Sequence, residues 1–90
     1  MATQDGVNTV VAVSASDSVA VLAANNFRSL ATIYNDGAAT VYLSLGPVAS
    51  TTSHTVQIVP QGYYEVPRGY SGPVTHKGSS ATGSLRVTEI

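Results

Sequence analysis

Apolar and polar positions alternate along most of this chain in short segments, and this period of two predicts β-strands. The clearest segment is VYLSL at 41–45, in which Tyr42 and Ser44 lie opposite an apolar set. Such a strand has one face in the core and one face outside it. Similar segments occur at 7–14, 18–23, 30–34, 54–59, 63–66, 74–77 and 84–89. Turn residues separate them at fairly regular spacing. We therefore expect an all-β fold, a small antiparallel β-sandwich or jelly roll of seven to eight short strands.

Residues 27–46, FRSLATIYNDGAATVYLSLG, predict a β-hairpin. The tripeptide Asn35-Asp36-Gly37 separates two apolar runs, and Asp-Gly between alternating runs is a strong hairpin signal. We expect this turn to set the register of the central sheet. Phe27 is the single phenylalanine and is expected to fill the end of the core.

Residues 18–23, SVAVLA, carry apolar side chains on both faces and predict a strand that is covered on both sides. A helix over 15–24 is the alternative, since Ser16 or Asp17 would cap it. The β-branched valines and the short length favour the strand.

Ninety residues are expected to form one domain. Residues 1–6, MATQDG, predict an N-terminal arm that either frays or orders on a neighbouring molecule, and residues 7–90 predict a single β-sandwich domain. The N-terminal sequence lacks the basic and apolar regions of a signal peptide. No apolar run approaches the ~18 residues of a membrane span, so no membrane contact is expected.

Charged residues make up 10% of the chain, against about 25% in typical soluble domains. The net charge is −1 and the four basic residues are dispersed, so no nucleic-acid partner is expected. There are no cysteines to stabilise so small a core by disulfides. A neutral surface rich in Ser and Thr is compatible with a secreted domain, but it favours a subunit packed among protein neighbours.

Candidate chemistry is sparse. The two histidines, His54 and His76, have no carboxylate at metal-ligand spacing and are expected at the surface or at a sheet edge, so we predict no metal site. The segment 69–72, GYSG, lacks the glycine spacing of a nucleophile elbow and is interpreted as a turn. No nucleotide or cofactor motif occurs. The sequence therefore predicts a protein that is not an enzyme and that uses no cofactor.

Five of the six aromatic residues are tyrosines, which either cover a second sheet face or anchor a protein interface. Tyr42 is predicted to face away from the main core. The candidate interface residues are Tyr42 and Tyr70, together with Thr3, Gln4 and Asp5 of the predicted arm.

Several segments resemble small β-sandwich structural proteins of tailed phages. They are ANNFR at 24–28, LATIYND at 30–36, VYLSLG at 41–46, GYYEVP at 62–67, GPV at 72–74 and GSLRVTE at 83–89. The resemblance implies a capsid decoration (cement) protein in the virion, assembled in the host cytoplasm and bound to the major capsid protein or other virion proteins. It also implies a homo-oligomer, with a trimer favoured. The alternative is a head-fibre or tail-fibre module that contacts host carbohydrate.

Overall fold

Eight β-strands form the protein in a computed structural model that describes residues 6–90. In chain order they are β1 (Val7–Ala12), β2 (Val19–Leu22), β3 (Ala31–Asp36), β4 (Val41–Ser44), β5 (Val56–Ile58), β6 (Tyr63–Val66), β7 (Val74–Gly78) and β8 (Ser84–Glu89). Each predicted strand segment overlaps one of them, so the all-β prediction is confirmed. The alternative helix over 15–24 is wrong, because β2 occupies that region.

The strands form two four-stranded antiparallel sheets. Sheet A has the order β1-β8-β3-β6 and sheet B has the order β2-β7-β4-β5. The chain thus pairs its first strand with its eighth, its second with its seventh, its third with its sixth and its fourth with its fifth. This is the pairing of a long antiparallel ribbon rolled into a sandwich, which is the jelly-roll arrangement.

The core lies between the two sheets and follows the predicted alternation. Every second residue of β3 and β4 is buried, as in Ala31 and Ile33 or Val41 and Leu43. Strand β2 departs from strict alternation because its pairing with β7 shifts register after Ala20. That irregularity allows two consecutive apolar side chains to enter the core. The core residues outside β3 and β4 are Val13, Val21, Leu22, Ile58, Val66, Val74, Leu85 and Val87.

The predicted hairpin over residues 27–46 is wrong, because β3 and β4 belong to different sheets. Strand β3 pairs with β6 and β8, whereas β4 pairs with β5 and β7. Asn35 is fully buried and continues the inward alternation of β3. Gly37 does not take the positive φ that an Asp-Gly hairpin turn requires. The tripeptide 35–37 is therefore a passage from sheet A to sheet B and does not set the register of one sheet.

Asn35 fastens the end of β3 to the opposite sheet. Its side-chain amide donates to the carbonyls of Ala39 (2.7 Å) and Ile58 (2.9 Å), the latter at the end of β5. Buried polar groups need such partners, because an unpaired one costs free energy on folding. Close by, Gly83 has φ +83°, and a Cβ there would lie 2.6 Å from the Cα of Gly37. The backbones at these two glycines meet without room for a side chain.

Candidate protein interface

Phe27 is the most exposed large apolar side chain of the described residues, with 91% of its surface accessible. The prediction that it fills the core is wrong. The side-chain oxygen of Asn25 accepts the Phe27 backbone N–H (2.9 Å), and the Asn25 carbonyl accepts the Arg28 N–H (3.2 Å). These bonds close a tight turn with Phe27 at its tip. The following residue, Arg28, takes the interior position instead.

Arg28 anchors this turn from inside the molecule. Only 1% of its side chain is exposed, and its Nε donates to Glu89 Oε2 at 2.7 Å. Its Nη1 donates to the carbonyls of Tyr70 and Gly72, each at 3.1 Å, and its Nη2 donates to the Ala23 carbonyl at 2.6 Å. The planar guanidinium thus joins the β2–β3 loop, the β6–β7 loop and the end of β8.

These hydrogen bonds fix the backbone position of Phe27 at the surface. The residue before Arg28 has little freedom to move when the guanidinium is held at four points and the turn is closed by Asn25. The Ser29 N–H also bonds to the Ile90 carbonyl at 2.8 Å, which ties the other flank to sheet A. An aromatic side chain on a rigid backbone loses little conformational entropy on binding, which favours a role as an interface anchor.

Tyr42 lies on the outer face of sheet B, as the alternation predicts, and is half-buried. Its ring centroid is 4.9 Å from that of His54, with the planes tilted by 54°. Nδ1 of His54 donates to the Ser50 carbonyl at 3.0 Å, so the imidazole is fixed against the β4–β5 loop. This pair forms a small aromatic surface on sheet B.

Tyr70 has a structural environment. Its partly buried ring packs against the core, and its hydroxyl donates to the Pro73 carbonyl at 2.6 Å. The carbonyl of Tyr70 is one of the groups that bind Arg28. Tyr70 therefore supports the Phe27 turn rather than sharing a surface with Tyr42. The other predicted interface residues, Thr3, Gln4 and Asp5, lie outside the described residues.

Further apolar side chains are exposed away from the turn. Those with more than half of their surface accessible are Val7 and Val10 of β1, Val48 in the β4–β5 loop, and Val59 and Tyr63 around the β5–β6 turn. Scattered exposed apolar residues are normal in soluble proteins. Phe27 differs from all of them in its greater exposure and from the four valines in its size.

His76 is fully buried, contrary to the prediction of a surface or edge position. Strand β7 is central in sheet B, and its alternation points Val74 and His76 into the core. Nε2 of His76 accepts the Ser14 N–H at 3.2 Å. Desolvation by burial lowers the pKa of His76 below its ordinary value, so the neutral imidazole is the form that the fold accommodates.

Ligand-binding features are weak within residues 6–90. This part of the chain holds no group of three or more His, Cys, Asp or Glu side chains arranged around a metal position. It also contains no helix with the length and apolarity to cross a membrane. A shallow cavity of about 270 Å³ lies along β1 and β8, slightly smaller than typical ligand pockets. Its lining residues are Asn8, Thr9, Val10, Arg86, Val87 and Thr88.

The sequence predicts neither the exposure of Phe27 nor the burial of Arg28, although Arg28 directly follows Asn25-Asn26-Phe27, a segment typical of turns. Comparisons of the chain with protein-family models, curated proteins and solved structures found no match. The surface of the chain itself, with Phe27 as its most exposed large apolar side chain, is therefore the guide to function.

Proposed function

We propose that this chain is a non-enzymatic structural protein of a tailed-phage virion, which binds the head as a capsid decoration (cement) protein and stabilises its lattice. The observation that supports this most directly is Phe27, an aromatic ring that is 91% exposed on a turn held by Arg28. Such a ring gives an isolated molecule no stability, but it gains free energy when a protein partner covers it.

The expected contribution of Phe27 is large. Full burial of a phenylalanine side chain stabilises by about 2–3 kcal/mol, which corresponds to about 30- to 150-fold in affinity. The low charge of the chain adds to the argument, because packing Ser and Thr hydroxyls against neighbours costs less solvation free energy than packing charged side chains. Jelly rolls occur in viral capsid and lectin domains, which is an analogy of architecture only. The proposed partner is the major capsid protein, and the proposed location is the assembled particle.

Binding to isolated phage heads that lack this protein tests the proposal. Wild-type protein is expected to co-sediment with the heads and to raise their thermal disruption temperature. Phe27→Ser is expected to weaken binding by about 30-fold or more, with its unfolding free energy unchanged because the ring contacts solvent. Val48→Ser is the matched control at another exposed apolar residue, and it is expected to bind within about threefold of wild type. Absence of head binding by the wild-type protein would refute the proposal.

A second candidate function is a fibre or tail module that contacts host carbohydrate. It is favoured by Tyr63, a residue that is 65% exposed, and by the Tyr42–His54 pair on the outer face of sheet B. Aromatic faces on a jelly roll suit stacking against sugar rings. This hypothesis predicts signals on a glycan array that disappear in Tyr63→Ala. A blank array together with head binding would leave the decoration function alone.

A further inference from the structure

We propose that the open edge of β1 pairs with β1 of a second copy of this chain, in a two-fold symmetric dimer whose two A sheets form one continuous eight-stranded sheet. The inference concerns self-association and does not depend on attachment to a phage head. It starts from a comparison of the four edge strands of the sandwich.

An edge strand exposes unpaired backbone N–H and C=O groups, and proteins protect such edges with bulges, prolines, charges or very short strands. Three of the four edges here are protected. Strand β2 carries the register shift after Ala20. Strand β5 has three residues and is followed closely by Pro60. Strand β6 places Glu65 at its exposed edge and is followed by Pro67.

Strand β1 has none of these protections. It is six residues long, VNTVVA, with no proline, glycine or charge. Its register with β8 runs unbroken from Val7–Glu89 to Ala12–Ser84. Val7 and Val10 are each more than half exposed. A regular, neutral edge rich in valine is the kind of edge that pairs with another strand.

The hydrogen bonds identify which residues of β1 face the open edge. Leu30 directly precedes β3 and Ile90 directly follows β8. The Ile90 N–H donates to the Leu30 carbonyl at 2.8 Å, and the Leu30 N–H donates to the Ile90 carbonyl at 3.3 Å. Along a strand, the backbone N–H and C=O groups of successive residues point alternately to the two neighbouring strands. Because Ile90 bonds toward β3, the even-numbered residues of β8 bond to β3 and the odd-numbered residues bond to β1. The Val13 N–H donates to the Gly83 carbonyl at 3.1 Å, and both residues are odd-numbered, as this alternation requires. Strand β1 therefore bonds to β8 through its odd-numbered residues, and it directs to the open edge the backbone groups of Asn8, Val10 and Ala12.

A second copy fits this edge. When two identical sheets join side by side in antiparallel fashion, the two-fold axis is perpendicular to the sheet and a residue on it meets itself. Placing the axis at Val10 pairs Val10 with Val10 of the second copy, and Asn8 with Ala12. Within residues 6–90 no strand bonds to the outward backbone groups of these facing residues, so the joint contains up to about six backbone hydrogen bonds. No charge opposes another across it.

Self-pairing also explains why this edge alone can remain open. An isologous joint uses the edge of each copy once and closes. Pairing of β1 with β6 of another copy would instead propagate, and Glu65 and Pro67 obstruct it. The trimer expected from the sequence requires a different interface, so the measured mass discriminates between the two assemblies.

Light scattering after size-exclusion chromatography, over a range of protein concentrations, tests the dimer. The wild-type chain is expected to have twice the mass of one copy. Val10→Lys and Val10→Glu each place like charges in opposition at the axis and are expected to weaken dimerisation by about tenfold or more. An equimolar mixture of the two variants is expected to restore the dimer. Val48→Lys, at an exposed valine outside the strands, is the control and is expected to remain dimeric.

Hydrogen exchange supplies a local measurement. The amides of Val10 and Ala12 are expected to be protected in the wild-type dimer and to exchange rapidly in Val10→Lys, since none of the eight described strands pairs with that edge. A wild-type monomer at all concentrations, a trimer, or a dimer insensitive to Val10→Lys would each overturn the inference. Protection of the Ala12 amide that persists in monomeric Val10→Lys would overturn it as well. Head binding through Phe27 is measured separately, so either proposal can fail without the other.

Discussion

Arg28 and Arg86 form two ion pairs of similar length in very different surroundings, and their substitution by alanine gives a sharp test of the fold's energetics. The Arg28 Nε lies 2.7 Å from Glu89 Oε2, with the arginine side chain 1% exposed. The Arg86 Nε lies 2.9 Å from Asp36 Oδ2, with the arginine side chain 60% exposed. If the N···O distance alone determined how much an ion pair contributes to stability, both substitutions would lower the unfolding free energy by the same amount.

The structure predicts unequal costs. Arg28→Ala removes a buried charge partner and leaves Glu89 and three backbone carbonyls without their donor. Breaking a buried pair from one side costs about 3–5 kcal/mol. An exposed pair such as Arg86–Asp36 contributes about 0–1 kcal/mol. A chain of this length has an unfolding free energy of about 5–13 kcal/mol, so Arg28→Ala removes a large share of it.

Urea unfolding at one protein concentration measures the loss of unfolding free energy in both variants. It is followed by far-ultraviolet circular dichroism and by tyrosine fluorescence, because the chain has no tryptophan. In thermal unfolding followed by the same signals, the midpoint is expected to fall by at least about 12 °C for Arg28→Ala and by at most about 8 °C for Arg86→Ala. Arg28→Lys, which keeps the charge but not the planar fork of donors, is expected to lie between them. Equal losses for the two alanine variants would refute the role assigned to Arg28.

Three further predictions concern His76, Leu43 and Asp36. Burial holds the pKa of His76 below its ordinary value of 6.5, so the unfolded chain takes up a proton below that pH that the folded chain does not. Stability is thus complete above about pH 6.5 and falls below it, by up to about 1.4 kcal/mol per pH unit. Unfolding free energies of His76→Gln are expected to lack this slope between pH 8 and 5, and equal slopes in both proteins would contradict the assignment. Leu43→Asp is expected to abolish folding, because it buries a carboxylate at a fully enclosed position. Asp36→Ala is expected to leave assembly largely intact; loss of binding with the fold preserved would show that 35–37 is more than a connection between sheets.

Local pattern predicts the strands well because burial on one face has a period of two. The alternation at 41–45 and at 31–33 corresponds to buried Val41, Leu43, Ala31 and Ile33. The same rule would have placed Asn35 inside, since it continues the inward set of β3. The turn composition of Asn35-Asp36-Gly37 outweighed that signal. Strand pairing was mispredicted there because pairing depends on distant partners, with β3 lying between β6 and β8.

The candidate interface was less predictable than the fold. Phe27 was assigned to the core by its residue type alone, but its position depends on hydrogen bonds made by Asn25 and on the interior binding of Arg28. Three of the four acceptors of Arg28 come from residues more than 40 positions away, at Tyr70, Gly72 and Glu89. No local pattern encodes such an arrangement. The burial of His76, by contrast, follows from the alternation of β7, since His76 shares the inward face of that strand with Val74.

The position of β8 has a consequence for the order of synthesis. It is the last of the eight strands to leave the ribosome, yet it lies between β1 and β3 in sheet A. Until β8 emerges, no other strand of the described residues pairs with β1. A nascent chain truncated before Ser84 lacks the strand that joins the other three of sheet A. Non-local pairing of this kind also makes folding slow. The strand order therefore makes emergence of β8 from the ribosome a condition for a finished sandwich, and chains that stop before β8 stay available to proteases and chaperones.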